Sequence, residues 1–111
     1  MDCLFCKIAE GSIPSQTVYE DDRIVVFCDI SPAAPVHVLV IPREHISSAV
    51  EIQQGHYDLL GHIWTKIPQI AKEQGLDQFR VITNAGQEAG QTVGHLHFHI
   101  LGGHKLKAAL G

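Results

Sequence analysis

The stretch His95-Leu96-His97-Phe98-His99-Ile100-Leu101 alternates strictly between imidazole and apolar side chains. A period of two predicts a half-buried strand over these residues, with the three histidines on one face and Leu96, Phe98 and Ile100 turned into a core. Successive imidazoles on such a face stand roughly 6.6 Å apart, twice the rise per residue. So regular an apolar face needs a second layer. The segment from about residue 56 to 74 offers one, because Leu59, Leu60, Ile63, Trp64, Ile67, Ile70 and Ala71 recur every three or four positions, the mark of an amphipathic helix. Gly75 is placed to close it in a left-handed cap. Pro68 removes one backbone donor inside it, which predicts a kink or break near residues 64–68.

Working outward, Leu4, Phe5, Ile8 and Ala9 predict a short helix ended by Gly11 and Pro14. Thr17-Val18-Tyr19-Glu20 and Arg23-Ile24-Val25-Val26-Phe27-Cys28 flank Asp21-Asp22 as a hairpin would. His37-Val38-Leu39-Val40-Ile41 reads as a buried strand before Pro42, and Arg80-Val81-Ile82-Thr83 as another. Cys28 reads as a small buried hydrophobe. Repeats, low-complexity tracts and linkers are absent from the sequence. The expectation is one α+β domain over residues 1–111: an antiparallel sheet of about five strands, one long helix and a short N-terminal helix.

With 111 residues, 45% of them apolar and 18% charged, the chain has the balance of a globular protein rather than a disordered one. Its formal net charge of −4 and eight scattered Lys and Arg argue against a nucleic-acid partner, since no basic stripe exists. The acidic N-terminus and the lack of a long apolar run predict neither secretory signal nor membrane span, hence a cytoplasmic location. The eight histidines equal the Lys and Arg together. His56, His62 and His104 read as surface or capping residues.

Three imidazoles on one face admit three readings: a histidine-rich surface strand, a metal site made by the triad, or nucleophilic and acid–base catalysis. The loop before them, Asn84 to Gly94, carries Gly86, Gly90 and Gly94, which let backbone amides approach an anion. A glycine loop delivering the chain onto clustered histidines fits attack by imidazole on phosphorus, with the oxygens resting on amides.

His95-Leu96-His97-Phe98-His99-Ile100-Leu101 resembles the signature of the histidine-triad (HIT) nucleotide-binding family. The resemblance runs along nearly the whole chain, through Phe5-Cys6-Lys7-Ile8, Asp29-Ile30-Ser31-Pro32, Pro35-Val36-His37-Val38-Leu39-Val40-Ile41-Pro42, His45-Ile46, Asn84 and Leu101-Gly102-Gly103. It is closest to the Hint branch, which hydrolyses nucleoside 5′-phosphoramidates, and less like the Fhit branch, which cleaves dinucleoside polyphosphates. The resemblance implies a purine nucleoside monophosphate or phosphoramidate as ligand and His97 as nucleophile, forming a nucleotidyl-histidine that water hydrolyses. It further implies that His99 contacts phosphate oxygens and that His37 supports the triad from the neighbouring strand. Gly90, Thr92, Val93 and Asn84 are implied on the phosphate side. Asp29 is implied to accept both ribose hydroxyls, a job suited to an ionised carboxylate, and Phe5, Ile8, Phe27, Ile30 and Leu39 to form the purine slot. A homodimer is implied as well.

Cys3 and Cys6 have the C-x-x-C spacing of a half zinc site; a redox pair is the rival, although no βαβ pattern surrounds them. His97 must keep a free nitrogen to act as nucleophile, so the triad cannot ligate wholesale. In zinc-bearing relatives of this type the first triad histidine and the histidine after a Pro-x-x-His turn complete the set, which implies a structural zinc on Cys3, Cys6, His45 and His95. Such a site contributes on the order of 10 kcal/mol to folding in small domains. The alternatives in function are a nucleotide-binding sensor without turnover, a dinucleoside polyphosphate hydrolase, and a zinc hydrolase using triad ligands. The tail His104 to Gly111 lacks the Trp-Pro-Pro ending of many Hint proteins, which leaves the leaving-group preference open.

Overall fold

Helix α1, Leu4–Glu10, starts on Cys3, whose Sγ accepts the Cys6 amide proton, and stops at Gly11 in the left-handed region with φ 82°. The computed structural model describes residues 3–108; Met1, Asp2 and the tail residues Ala109, Leu110 and Gly111 lie outside them. Strands β1 (Thr17–Glu20) and β2 (Ile24–Cys28) form the expected antiparallel hairpin. Its turn is held by Asp21, whose Oδ1 accepts the amides of Arg23 at 2.8 Å and Ile24 at 3.0 Å, so the second strand begins one residue later than the apolar pattern implied. Strand β3 (Val36–Pro42), the long helix α2 (Tyr57–Glu73), β4 (Arg80–Ile82) and β5 (Phe98–Gly102) complete the α+β fold. The five strands make one antiparallel sheet in the order β1-β2-β3-β5-β4.

The two faces of the sheet carry two different cores. Ile24, Val26, Val38, Val40, Phe98 and Ile100 meet Leu59, Ile63, Ile67 and Ile70 of α2. On the opposite face Val25, Phe27, Leu39 and Ile41 meet Cys3 and Phe5 of the α1 segment. Strand β3 is therefore covered on both sides, which is why its apolar run does not alternate with polar residues. Since α1 is only seven residues long, it covers the β2 and β3 part of that face and leaves the β5 and β4 part for other use.

Helix α2 runs through Pro68 unbroken. The proline takes away one bond to the preceding turn, but the apolar stripe on either side of it is anchored in the core, and tertiary packing outweighs the local preference. The helix ends as the sequence implied: Gly75 N–H bonds to the Lys72 carbonyl and Leu76 N–H to that of Ala71, a Schellman closure with φ 82° at Gly75. His56 receives the Gln53 amide at 2.9 Å, and His62 ties α2 to the hairpin turn through Asp21 at 2.7 Å, so both have the capping and surface roles expected of them. Cys28 is half-buried rather than buried. Among the described residues no helix is long and apolar enough to cross a membrane.

Candidate active site

The triad is not one row of side chains on one strand. Strand β5 begins only at Phe98, because the backbone before it is bonded elsewhere: His95 N–H to Val93, Leu96 N–H to Ile46 at 2.6 Å, and the His97 carbonyl to the Thr83 hydroxyl at 2.8 Å. Alternation survives for the apolar set, as Leu96, Phe98 and Ile100 all enter the α2-side core. The histidines, however, are sorted into different environments. His95 is fully buried among the cysteines, and His97 and His99 face the uncovered part of the sheet.

Hydrogen-bond partners decide which nitrogen of each ring carries a proton. His97 Nδ1 lies 2.7 Å from the His95 carbonyl oxygen; a carbonyl only accepts, so Nδ1 holds the proton and Nε2 keeps its lone pair. Phe5 stands edge-on to the ring with centroids 5.1 Å apart and fixes its plane. His37 has the opposite tautomer. The Ala33 amide donates to its Nδ1 at 2.9 Å, so His37 Nε2 carries the proton and donates to His99 Nδ1 at 2.8 Å. His99 in turn must present Nε2–H. Burial pushes His99 down to about 4, with His97 and His37 adding to the shift, and burial lowers His37 against the opposing pull of Asp29. Both rings are thus uncharged at neutral pH, as an ordered chain of single protons requires.

His97 and His99 line a cavity of about 310 Å³ with Leu4, Phe5, Ile8, Phe27, Cys28, Asp29, Ile30, Ser31, Leu39, Thr92 and Val93. Nine of the residues expected on the nucleotide side therefore share one pocket with the nucleophile candidate. Phe27, Leu39 and His99 are paired across β2, β3 and β5 in one row, which is how residues far apart in sequence come to form its floor. Asp29 holds the rim: its Oδ1 accepts the Ser31 amide at 2.8 Å, and its Oδ2 is 3.4 Å from His37 Nε2. Ile30 sits on the rim with 98% of its surface exposed, so its contact with a ligand would be one-sided. Asn84 and Gly90 do not line this cavity; they line a neighbouring one with Ala33, Ile82 and Leu101. The glycine loop between the two is pinned by Gln91, whose Oε1 accepts the Gly86 amide and whose Nε2 donates to the Ser47 and Val93 carbonyls.

Cys3, Cys6, His45 and His95 bring one ligand atom each to within 4.8 Å of one another. Their separations are 3.3 Å from Cys3 Sγ to His95 Nδ1, 3.3 Å from Cys6 Sγ to His45 Nδ1, 3.6 Å from Cys6 Sγ to His95 Nδ1 and 3.2 Å between the two Nδ1 atoms. The edges of a tetrahedron built on usual zinc–sulfur and zinc–nitrogen bonds are about 3.3–3.8 Å. The His95 ring donates from Nε2 to the Pro42 carbonyl at 2.8 Å, which leaves Nδ1 as a bare lone pair facing the sulfurs. Burial pushes the Cys6 thiol up to about 11, with Cys3 adding to the shift; a cation is what would let such sulfurs ionise. The donor set fits a divalent metal.

A second group, Asp29, His37 and His99, also gathers ligand atoms within 4.8 Å. Ligation through His37 Nε2 would force its proton onto Nδ1, against the Ala33 amide already pointing there. This group is a hydrogen-bond chain, and the metal-type chemistry belongs to the cysteine cluster.

A family model described as scavenger mRNA decapping enzyme C-terminal binding matches residues 2–109. A solved HIT family hydrolase from Legionella pneumophila is 39% identical, with TM-score 0.96 over 99% of this chain and 100% of the other. The chain belongs to the HIT family. This HIT protein is also 51% identical to Protein HitA of Neisseria gonorrhoeae, over 91% of its own length and 95% of the relative's. It is 40% identical to a 14 kDa zinc-binding protein of Brassica juncea, over 95% of this chain and 96% of that one. The five-stranded sheet, long helix and short N-terminal helix are those of its solved relatives.

Sequence reasoning missed the residues that set tautomers and backbone: Ala33, Thr83, Gln91 and Pro42. All four act through or upon main-chain atoms, which leave no trace in side-chain periodicity. Only Gln91, a buried amide in a glycine-rich loop, carried any signal.

Proposed function

We propose that this HIT protein is a Hint-branch hydrolase of purine nucleoside 5′-phosphoramidates, working through a nucleotidyl-histidine on His97. The observation that carries the reading is the uncommitted Nε2 of His97 beside a pocket of nucleotide size. That lone pair attacks the α-phosphorus; the phosphorus–nitrogen bond breaks and its electron pair leaves with the amine, which takes a proton from water. A water oxygen then attacks the same phosphorus, the bond to Nε2 breaks, and its pair returns to the ring. One water is consumed, its oxygen ending on the nucleotide and its protons shared between the products.

The remaining residues bind and orient. His99 donates Nε2–H to a phosphoryl oxygen, held in that tautomer by His37, and the amides around Thr92 and Val93 take the other oxygens. Asp29 accepts the ribose hydroxyls, while Phe5, Ile8, Phe27, Ile30 and Leu39 enclose the base. Cys3, Cys6, His45 and His95 hold a structural zinc, which when bound supplies a fixed positive charge that ionises the sulfurs and clamps α1 to the segment before β5. The protein works as a homodimer through α2 and the β4 edge; the half-exposed Trp64, at 49%, supports the helix as a contact.

The test is single turnover with adenosine 5′-phosphoramidate followed by mass spectrometry. The expected result is a transient nucleotidyl adduct on His97, absent from His97→Asn although that variant still binds AMP. Hydrolysis persisting in His97→Asn would overturn the assignment.

A further inference from the structure

Among the described residues Gln91 is the one carboxamide side chain that is buried, with 9% of its surface exposed. Burying an amide is costly unless its polar atoms are bonded, and here both of its protons are used. Its Oε1 accepts the Gly86 amide at 2.8 Å, and its Nε2 donates to the carbonyls of Ser47 at 2.7 Å and Val93 at 2.9 Å. The partners are one donor and two acceptors, so the two ends of the carboxamide cannot be exchanged. The Gln91 main chain also donates to the Gly86 carbonyl at 3.1 Å, so Gly86 is held by both its amide and its carbonyl.

The amides of the loop divide into two sets. Those of Gly86, Ala89, Gly90 and Gln91 are spent inside it, on Gln91 Oε1 and on the carbonyls of Gly86 and Gln87. Those of Thr92 and Val93 have no protein acceptor among the described residues, and both residues line the nucleotide pocket with His97. Backbone donors left over at the edge of a pocket are suited to water or an anion. Gln91 immediately precedes them in the chain, and its own Nε2 holds the Val93 carbonyl that follows them. One side chain therefore fixes both ends of this two-amide segment.

The other Nε2 bond reaches the segment that also fixes the nucleophile. Three successive residues there serve three parts of the site. His45 belongs to the cysteine cluster, the Ile46 carbonyl takes the Leu96 amide at 2.6 Å between His95 and His97, and the Ser47 carbonyl takes Gln91. The His97 backbone and the loop amides are thus referred to one short piece of chain. We propose that Gln91 is a positioning residue, holding the Thr92 and Val93 amides at a fixed offset from His97 so that a phosphoryl group bound on them faces Nε2. The inference rests on the nucleotidyl-transfer reading above and adds the residue that sets its geometry. A misplacement of about 1 Å between reacting groups costs on the order of a hundredfold in rate.

The test uses Gln91→Met, which keeps the length of the side chain and removes its three bonds, with Gln91→Asn, the same amide one methylene short, as the milder change. At saturating adenosine 5′-phosphoramidate, the single-turnover rate of adduct formation on His97 should fall about ten- to a hundredfold. AMP affinity should fall severalfold, whereas adenosine, which has no phosphate, should bind within about twofold of the unmodified protein. General damage would weaken both ligands alike. Equal losses for AMP and adenosine, or an unchanged rate in either folded variant, overturn the proposal. Should the unmodified protein not turn over, the hydrolase reading fails by itself, and the comparison of AMP with adenosine still decides the role of Gln91. Amide exchange in the unmodified protein needs no variant: the Gln91 Nε2 protons should be protected, and AMP but not adenosine should slow exchange at Thr92 and Val93. Freely exchanging Nε2 protons, or no slowing by AMP, would sink the assignment.

Discussion

His37 Nε2 lies 2.8 Å from His99 Nδ1, and the Ala33 amide on the far nitrogen of His37 decides that His37 is the donor. Replacing His37 with Phe removes that proton and frees His99 to take either tautomer. An orienting partner of this kind is worth about ten- to a hundredfold in rate, so kcat should fall in that range while nucleotide affinity changes less. Nitrogen NMR of the His99 ring separates this from simple damage. In the variant the ring should populate both tautomers, and a single tautomer with unchanged kcat would disprove the positioning role.

The cysteine cluster predicts one zinc per chain and a protein that loses stability before it loses chemistry. Because α1 meets the sheet through Cys3 and Phe5, stripping the metal releases the helix, and with it the wall of the nucleotide pocket. Chelation or Cys6→Ser should lower the melting temperature by more than about 10 °C, the equivalent of a few kcal/mol for a domain this size. Metal analysis and melting curves with and without chelator check it. A melting temperature indifferent to chelator, in protein shown to contain zinc, would count against a structural role.

Acid should destabilise the fold in two stages. His99 is held at about 4, against an ordinary 6.5; the unfolded chain binds its proton first, so stability present above pH 6.5 is lost as pH falls toward 4. The Asp21 carboxyl is pushed up by burial, but bonds from the Arg23 amide, Tyr19, His62 and the Ile24 amide outweigh this and hold it well below its ordinary 3.8. Its contribution is present above 3.8 and is lost below that. Urea midpoints from pH 8 to 3 should fall in both windows. Asp21→Asn should start lower at pH 7 and flatten the second stage; an unchanged slope below pH 4 would rule out this role for Asp21.

Gly102 closes the core where β5 meets the turn after α2. A Cβ there would meet the two terminal carbons of Leu76 at 2.9 and 3.0 Å and the Gln78 carbonyl oxygen at 3.1 Å. The backbone oxygen cannot swing aside as a side chain can. Gly102→Ala should therefore cost about 1–3 kcal/mol by overpacking, read as a shift in urea midpoint with little change in its slope. A stability equal to that of the unmodified protein would show the turn to be looser than this.

The helical and strand periods were plain in the residues: the apolar stripe of α2, its Gly75 stop, the hairpin around Asp21 and the core face of Leu96, Phe98 and Ile100. Their order along the chain was enough to place an α+β sheet, because burying each stripe leaves few arrangements. The motif at residues 95–101 also marked where chemistry lies. What periodicity could not convey was its division: it set three histidines in a row, whereas backbone bonds from Leu96 to Ile46 and from Thr83 to His97 start the strand only at Phe98.

Local sequence determines which side chains prefer water, so it determined the layers and the candidates. Only the tertiary structure decided the proton on each ring, since that depends on main-chain amides and carbonyls of Ala33, Pro42 and His95 brought within 3 Å by the fold. The same is true of the second cavity, which Asn84 and Gly90 line with Arg80 and Lys107. Arg80 and Lys107 are 27 residues apart, and no pattern in a linear chain says that they share one mouth; the sheet register and the returning tail do.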